Sequence, residues 1–426
     1  MKITSKDLVR ILRDRARPWL TGGEGSRSKF YNFISEIYPV HASRSDNMRP
    51  RFNILLPTAK PEKIYGGIAT ALKVANEIII SLPENIDIRI IITSDSVNRE
   101  SISEVSRRLN KTFLVGRPNE DPKGCLVVDL FEYKANPISI RKNDIFFATA
   151  WWTAELGFRL AKMQKSMFRR SLDLIYLIQD FEPGFYQWSN HYAISEATYH
   201  NEDQTIALMN SQELFDFMTD KYKFKSQYLI PFVVNEEITR ALRECKKEKI
   251  ILVYGRPSVA RNCFEVIVEA LRLWQFSEPS KNLGYQVIFV GENFSNLLVN
   301  ELENKCILGK LPFMEYADLL SRSAIGISLM LSPHPSYPPL EMANAGCVTI
   351  TNNFENKNLA LHHNNILSLE KVSPQRLANE IENAVLCFES GSKPIAKIAN
   401  NSYIFESAYA KEIADKFLTI INNEDV

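Results

Sequence analysis

The sequence predicts an α/β protein built from two Rossmann-like domains, each with a mostly parallel sheet, that face a shared cleft. Three observations support this class. Short apolar runs alternate with helical stretches, the alternation pauses and restarts near Pro231, and glycine- or proline-containing loops follow several strands. Strands that alternate with helices pair in parallel and are covered on both faces. Because ligands of such proteins bind at the carboxyl ends of the strands, the cleft is the expected site.

Both halves of the chain repeat this pattern. Strand-like apolar runs of the first half lie at 51–57, 88–93, 125–130, 144–148, 174–178 and 204–209, with a helix at 68–81. In the second half, strands are predicted at 249–254, 285–290, around Ile307, and at 324–329, 348–351 and 365–369. Helices are predicted there at 262–274, at 313–321, from near Pro338, and at 403–421.

The length of 426 residues corresponds to two or three domains. We predict an N-terminal helical extension at 1–50, a first domain at 51–231, a second at 232–400, and a C-terminal helix at 401–426 that crosses back to the first domain. Residues 2–20 mix apolar and mostly basic side chains. This pattern is typical of a helix on an anionic membrane surface or, as we favour, of a terminal helix packed on its own domain.

Composition excludes several classes of protein. The chain has 51 basic and 50 acidic side chains, so it lacks the basic excess of a nucleic-acid binder. Its six scattered cysteines, with no C-x-x-C, indicate reduced thiols. No apolar stretch approaches the roughly 20 residues that span a bilayer. We therefore expect a cytoplasmic protein, with peripheral contact at the inner face of the membrane as an option.

Common motifs are missing from the chain. The sequence has no G-x-x-x-x-G-K-S/T, no G-x-G-x-x-G after its first strand, no D-x-D and no H-E-x-x-H. P-loop NTPases and metalloproteases are thereby disfavoured, and a dehydrogenase is weakened. The missing D-x-D also removes the usual carboxylate pair for a metal-bound nucleotide sugar.

Three segments carry a signal for ligand binding. Gly66 and Gly67 follow the first strand, where a ligand can approach the backbone closely, although such pairs often only make turns. Arg256 and Arg261 flank the end of a strand and the start of a helix, and guanidinium groups bind phosphate oxygens in a bidentate manner. The third segment, 332–351, places a proline-rich loop before a helix whose first amides are potential anion donors.

The third segment also carries a family resemblance. Its residues 338–351, P-P-L-E-M-A-N-A-G-C-V-T-I-T, resemble the P-x-L-E-A-M-A-x-G-x-P-V motif of the family 4 retaining glycosyltransferases, which have the GT-B fold. Residues 255–262, G-R-P-S-V-A-R-N, are similar to that family's G-R-x-x-x-x-K-N. Residues 176–186, Y-L-I-Q-D-F-E-P-G-F-Y, resemble enzymes that build rhamnose-containing surface polysaccharides. The resemblance covers roughly 51–400.

Two positions depart from the family pattern. Arg261 replaces the family lysine, which keeps the charge but changes the hydrogen-bonding geometry. Of the family's E-x7-E pair only Glu341 is kept, because Pro333 stands at the first position. Loss of that glutamate, which lies beside the donor sugar in the family, is compatible with a 6-deoxy sugar.

Motifs and resemblance together imply a set of site residues. The catalytic group is Arg256, Arg261 and Asp180. Donor-binding residues are expected to be Gly66, Gly67, Gly255, Gly291, Lys310, Leu311, Ser336, Tyr337, Leu340 and Glu341. Trp151, Trp152 and Glu182 are expected to meet the acceptor, although adjacent tryptophans are often core and Asp180 and Glu182 could be structural loop carboxylates. His334 is the one histidine near the donor loop.

The function expected from the resemblance is transfer of L-rhamnose from dTDP-β-L-rhamnose to a growing surface glycan of the S-layer type, with retention and without a metal ion or other cofactor. The acceptor could be lipid-linked, and no nucleic acid is involved. The alternatives are another GT-B enzyme (an inverting transferase or a nucleotide-sugar epimerase), a nucleotide-sugar-binding module without turnover, or a peripheral scaffold.

Overall fold

The computed structural model describes Ile34 and residues 36–64, 66–230, 236–277, 283–391 and 408–422. Both sheets belong to one compact unit, which begins at Val40. The predicted helix at 2–20 and the predicted linker at Pro231 lie outside the described residues. The domain boundaries therefore remain predictions.

The first domain contains an eight-stranded parallel sheet and a separate two-stranded ribbon. In chain order the strands are β1 Ala42–Arg44, β2 Arg51–Leu56, β3 Asp87–Ile92, β4 Leu114–Gly116, β5 Cys125–Asp129, β6 Ile138–Ile140, β7 Asp144–Ala148, β8 Leu174–Ile178, β9 Thr205–Met209 and β10 Ser226–Leu229. The sheet has the order β10-β9-β8-β7-β2-β3-β5-β4, and β1 pairs with β6. The helices are α1 Gly67–Ser81, α2 Arg99–Leu109, α3 Trp151–Phe168, α4 Asn190–Ala197 and α5 Gln212–Lys221.

The second domain contains a six-stranded parallel sheet of order β13-β12-β11-β14-β15-β16. Its strands are β11 Glu248–Gly255, β12 Gln286–Gly291, β13 Lys305–Gly309, β14 Ser323–Ile327, β15 Val348–Asn352 and β16 Ile366–Leu369. Its helices are α6 Glu236–Ala241, α7 Phe264–Gln275, α8 Phe313–Arg322, α9 Tyr337–Asn344 and α10 Pro374–Glu389, and the last described helix is α11 Tyr409–Asn422. The predicted α/β class with two parallel sheets is confirmed.

Apolar strands hold both sheets together. Every residue of β2, β3, β7, β8 and β9 is buried, as expected when helices cover both faces of a parallel sheet. The amino-terminal ends of β2 and β7 are also joined by a buried ion pair, in which Arg51 Nε lies 2.8 Å from Asp144 Oδ1. This pair is remote from the carboxyl ends of the strands and therefore serves the fold.

Helix α11 returns to the first domain. Tyr409, Ile413 and Phe417 are buried in the core under the first sheet, and the Tyr409 hydroxyl donates to the Glu77 carboxylate on α1. The two domains also meet at Glu213, whose backbone carbonyl accepts a 2.8 Å hydrogen bond from Asn356 of the second domain. No described helix is long and apolar enough to cross a membrane.

Four short strands are not predicted from the sequence. Strands β4 and β10 form the two edges of the first sheet and are partly exposed, so they lack the continuous apolar run of a central strand. Strands β1 and β6 have only three residues each. The predicted central strands and helices otherwise fall within a few residues of the observed ones.

Candidate functional site

The candidate site lies where loops from the carboxyl ends of the two sheets meet. After β8, residues Glu182–Phe185 form a single 3-10 turn, and after β11, residues Ala260–Asn262 form another. These two turns contact each other. Parallel strands of both domains therefore direct their carboxyl ends to one cleft, the location that the fold predicts for a ligand.

Asp180 is buried in this cleft and contacts the second domain. Its Oδ1 accepts hydrogen bonds from the Phe181 amide, at 2.8 Å, and from the Ser332 hydroxyl. Its Oδ2 lies 3.6 Å from Arg261 Nη2. The predicted catalytic carboxylate is thus paired with a second-domain arginine and is not a free base in this arrangement.

The Arg261 guanidinium is held on three sides. Besides Asp180, it lies over the ring of Phe185, with Cζ 3.8 Å from the ring centroid. Its Nε lies 3.3 Å from the Met330 sulfur. Burial lowers the pKa of Arg261, the Asp180 charge raises it, and the positive charge of Arg256 lowers it again. An arginine stays protonated under such shifts, so the cleft contains a fixed positive charge.

Arg256 is close enough to Arg261 for its positive charge to lower the pKa of Arg261. It follows Gly255 at the end of β11, and its stem packs against Gly291, where a β-carbon would lie 3.3 Å from Arg256 Cγ. Gly291 has φ of 110°, which glycine adopts at little cost. A Gly255 β-carbon would meet Phe264 and Phe289 at 3.2 Å, so this glycine serves packing.

The loop before α9 is held by local hydrogen bonds. The His334 amide donates to Ser332 Oγ at 2.9 Å, and the Ser336 amide donates to His334 Nδ1 at 3.1 Å. The Ser336 amide is therefore engaged within its own loop, and its contact with a phosphate stays a prediction. Pro338 and Pro339 have no amide hydrogen, so fewer N–H groups point from this helix end than an ordinary one offers.

Glu341 is buried in the middle of α9. Burial raises the pKa of its carboxyl to about 7, against a smaller lowering by the Tyr316 hydroxyl. Leu340 beside it is also buried, in a small cluster with Ala343, Leu359 and Ile366. A carboxyl that titrates near neutrality can either accept or donate a hydrogen bond, and both suit a sugar hydroxyl.

The loop after β13 lies at the same end of the second sheet. Lys310 is exposed and Leu311 is half-buried. Gly309 has φ of 67°, and a β-carbon there would overlap the side chain of Asn293. Glu292 is already engaged, since its Oε2 accepts hydrogen bonds from the Ser258 amide and hydroxyl at 3.2 and 2.7 Å.

Gly66 and Gly67 begin α1 on the first-domain side. Gly66 has φ of 50° and ψ of −121°, a backbone conformation that side chains disfavour. A β-carbon on Gly67 would lie 3.3 Å from the Gln179 amide, so this turn packs close to the strand end that carries Asp180. Tyr337 of α9 contacts Thr70 of α1 through its hydroxyl, which links the two domains here.

Two of the three predicted acceptor residues are buried. Trp151 has no exposed surface, and its Nε1 donates to the Tyr186 hydroxyl at 2.9 Å. The Glu182 carboxylate accepts from the Trp151 amide and, at 3.3 Å, from the Tyr176 hydroxyl. The prediction that Trp151 and Glu182 contact an acceptor is therefore wrong in this arrangement, because both are packed inside the first domain. Trp152 is half-buried, with Nε1 3.1 Å from Ser94 Oγ.

Burial also changes the protonation of Glu182. The pKa of this carboxyl is raised to about 8, mainly by burial and in smaller part by the Asp180 charge, against a lowering by the Trp151 amide. Glu182 is therefore mainly protonated at neutral pH. A neutral carboxyl can stay buried without an ion partner.

Two polar side chains in the cleft wall are not predicted from the sequence. Lys357 is fully buried, and its Nζ donates to the Met330 carbonyl at 2.7 Å. Burial lowers the pKa of Lys357 to about 8. Asn352 holds the same residue by accepting from the Met330 amide at 2.7 Å. Together they hold the strand end that leads to Ser332, and nothing in the polar loop around Lys357 indicates burial.

Comparisons with known proteins agree with this architecture. Family models for the N-terminal and C-terminal domains of WsaF match residues 51–212 and 249–382. The O-antigen biosynthesis protein RfbC of Myxococcus xanthus is 26% identical over 267 residues, which cover 61% of this chain and 20% of that protein. The chain thus spans about a fifth of the length of this curated relative.

Solved structures with a similar fold cover most of the chain. Sucrose-phosphate synthase from Thermosynechococcus elongatus aligns over 88% of this chain and all of its own, with 12% identity and a TM-score of 0.54. HepE from Anabaena, in complex with UDP-glucose, aligns over 88% and 97%, with 13% identity and a TM-score of 0.53. At such identities the likeness shows the fold alone, and that fold is GT-B.

Proposed function

The chain belongs to the WsaF family, and we propose that it is a glycosyltransferase that moves L-rhamnose from dTDP-β-L-rhamnose to a growing cell-surface glycan. The observation that carries the proposal is that Arg256 and Arg261 both lie in the loop after β11, near enough for their charges to interact, with Asp180 3.6 Å from Arg261. Two permanent positive charges in a half-buried cleft suit a group that develops negative charge, such as a departing diphosphate.

In the proposed reaction, the second domain binds the donor. Arg256 and Arg261 bind the diphosphate oxygens and stabilise the charge that appears as the bond from the sugar to the diphosphate breaks. Glu341 holds a hydroxyl of the nucleoside sugar. With the charge met by guanidiniums, the reaction needs no metal ion. Retention of the anomeric configuration is part of the proposal, and the diphosphate itself can accept the proton of the acceptor hydroxyl.

The first domain presents the acceptor. Asp180 acts as a positioning residue, since its carboxylate sets the orientation of the Arg261 guanidinium. Contacts from Asp180 to Ser332 and from Tyr337 to Thr70 hold the domains together on both sides of the cleft, which keeps water from competing with the acceptor.

Three considerations support the choice of sugar and acceptor. Pro333 replaces a glutamate that family 4 enzymes place beside the donor sugar, and a 6-deoxy sugar has fewer hydroxyls to bind. The Myxococcus xanthus relative is named for O-antigen biosynthesis, which favours a surface-glycan acceptor. HepE, a structural neighbour, was solved with a nucleotide sugar.

The proposal is tested by calorimetric titration of the protein with dTDP, UDP, GDP and ADP, followed by transfer assays with the matching sugar nucleotides. We expect dTDP to bind most tightly and dTDP-β-L-rhamnose to be consumed only when a rhamnose-containing acceptor is present. Addition of EDTA should leave the rate unchanged. If no nucleotide diphosphate binds, or if an added divalent cation is required for turnover, the charge argument is wrong.

A further inference from the structure

An exposed aromatic pair lies next to the cleft on the first domain. Trp188 is 94% exposed, the highest value among the large hydrophobic side chains that the structure describes. Tryptophan is buried to a large extent in most proteins, so a fully solvated indole is an informative exception. Tryptophan and tyrosine are enriched at interfaces, where the ring contacts a partner and the polar edge stays in water.

The two rings lie at the start of helix α4, Trp188 just before its capping residue and Tyr192 within the helix. The ring of Trp188 stacks on that of Tyr192, with 5.9 Å between centroids and 8° between planes. Tyr192 lies in the first turn of α4, where its amide donates to the Ser189 side chain that caps the helix. The two rings are nearly parallel, yet the indole presents almost all of its surface, including an open face, to solvent.

A short, firmly held segment joins this pair to the cleft. The Arg261 guanidinium packs over the ring of Phe185. Phe185 precedes Trp188 by three residues, which span at most about 11 Å of backbone. Between them, the Tyr186 hydroxyl accepts a hydrogen bond from buried Trp151, and the Tyr186 ring lies 5.0 Å from that of His191. The chain thus places Trp188 within about 11 Å along the backbone of Phe185, the residue that contacts Arg261.

We propose that Trp188 and Tyr192 form a subsite for the acceptor glycan, in which the open indole face stacks on the apolar face of a sugar ring. This inference rests on the proposed function and identifies where the acceptor glycan binds. A rigid aromatic ring offers a large contact area at low entropic cost, and its edge leaves the sugar hydroxyls in water. The methyl group of a 6-deoxy sugar adds apolar area to the same face.

The surroundings of the pair favour a glycan over a membrane surface. The exposed neighbours Gln187, Ser189 and Asn190 are uncharged and can form hydrogen bonds with sugar hydroxyls. A site for anionic lipid headgroups would be expected to carry lysine or arginine beside the aromatic ring. From Gln187 to Tyr192 the chain has neither.

Kinetics of acceptor variants test the subsite. Trp188→Ala should raise the KM for a rhamnose-oligosaccharide acceptor by about threefold to tenfold, the loss of one aromatic contact, with Trp188→Phe in between. The dissociation constant of dTDP should stay unchanged. Phe276→Ala, which removes an exposed ring of the second domain, is the matched control and should leave the acceptor KM as it is. An unchanged acceptor KM in Trp188→Ala overturns the proposal.

A second measurement separates this inference from the proposed function. Saturation-transfer NMR with a rhamnose trisaccharide, recorded without any nucleotide, should give a signal that Trp188→Ala loses and Phe276→Ala keeps. That result supports the subsite even if dTDP fails to bind, an outcome that would reject only the donor assignment. If the trisaccharide signal survives in Trp188→Ala, or if Trp188→Ala abolishes binding to vesicles of anionic lipid, the pair is not a glycan subsite.

Discussion

Asp180 and Arg261 lie on opposite walls of the cleft and form an ion pair, with 3.6 Å between Oδ2 and Nη2. Ser332, on the Arg261 side, donates its hydroxyl to the other carboxylate oxygen. The first domain thus supplies an anion to the arginine that we assign to the donor diphosphate. The Asp180 carboxylate and the donor phosphate compete for the Arg261 guanidinium. The ion pair therefore orients this guanidinium, and it also weakens phosphate binding, because phosphate must displace the carboxylate.

Removal of the Asp180 charge should therefore tighten nucleotide binding and slow transfer. In Asp180→Asn we expect the dissociation constant of dTDP to fall by about fivefold, the value of a partly exposed ion pair, because phosphate no longer displaces a carboxylate. The rate of transfer should fall, since Arg261 loses its positioning partner. Calorimetry and a kcat measurement check the two parts. The control is Asp318→Asn, which removes an exposed ion pair on α8 and should leave dTDP binding unchanged. Weaker dTDP binding in Asp180→Asn would contradict the proposed competition between carboxylate and phosphate.

The two arginines should contribute separately to diphosphate binding. A charge-assisted hydrogen bond contributes roughly 1.5–3 kcal/mol, so Arg256→Ala and Arg261→Ala should each weaken dTDP binding by about tenfold to 100-fold. Circular dichroism should show an unchanged fold. Arg376→Ala, an exposed arginine on α10, should bind dTDP like the parent protein. If Arg256→Ala binds dTDP normally, Arg256 has no place in the diphosphate site.

How far the sequence predicts the fold depends on burial. Strand β8 is buried at every residue and appears in the sequence as a continuous apolar run. The edge strands β4 and β10 are partly exposed, so their residues need not be apolar and no pattern marks them. An edge strand forms because it pairs with a neighbouring strand, and the residues of that neighbour lie elsewhere in the chain.

In the candidate site, too, features that depend on local sequence could be predicted, and contacts between distant segments could not. Arg256 and Arg261 could be predicted, because both lie in the loop between β11 and the next helix, and the carboxyl ends of parallel strands meet at one edge. The partner of Arg261 could not, since Asp180 is 81 positions away by residue number and their contact depends on how two domains approach. Lys357 was missed for a related reason: its polar loop indicates solvent, whereas the fold buries it against the Met330 carbonyl.

Replacement of the adjacent residues Trp151 and Trp152 should lower the free energy of unfolding by clearly different amounts. Trp151 is fully buried, so Trp151→Ala should lower the free energy of unfolding by about 3–5 kcal/mol. Trp152 is half-buried, and Trp152→Ala should cost about 1–2 kcal/mol, while it remains the residue of the two that can contact an acceptor. Urea unfolding followed by circular dichroism measures both variants. Equal losses of stability would contradict the assignment of Trp151 alone to the core.

Glu182 should give stability an unusual dependence on pH. Burial raises the pKa of its carboxyl to about 8 in the folded protein, whereas an unfolded chain has a glutamate pKa of about 4.3. Between these values the folded state retains a proton that the unfolded state has lost. Stability from this group is therefore highest below about pH 4, falls as pH rises towards 8, and then stays constant.

The variant Glu182→Gln isolates this effect, because glutamine has no proton to lose and its side-chain oxygen can still accept from the Trp151 amide. From pH 5 to pH 8, the unfolding free energy of the parent protein should fall relative to that of Glu182→Gln, with a slope of up to about 1.4 kcal/mol per pH unit. Urea unfolding at several pH values measures the difference. Glu84→Gln, at an exposed position, should show no such trend, and a flat difference for Glu182→Gln would mean that Glu182 is ionised in the folded protein.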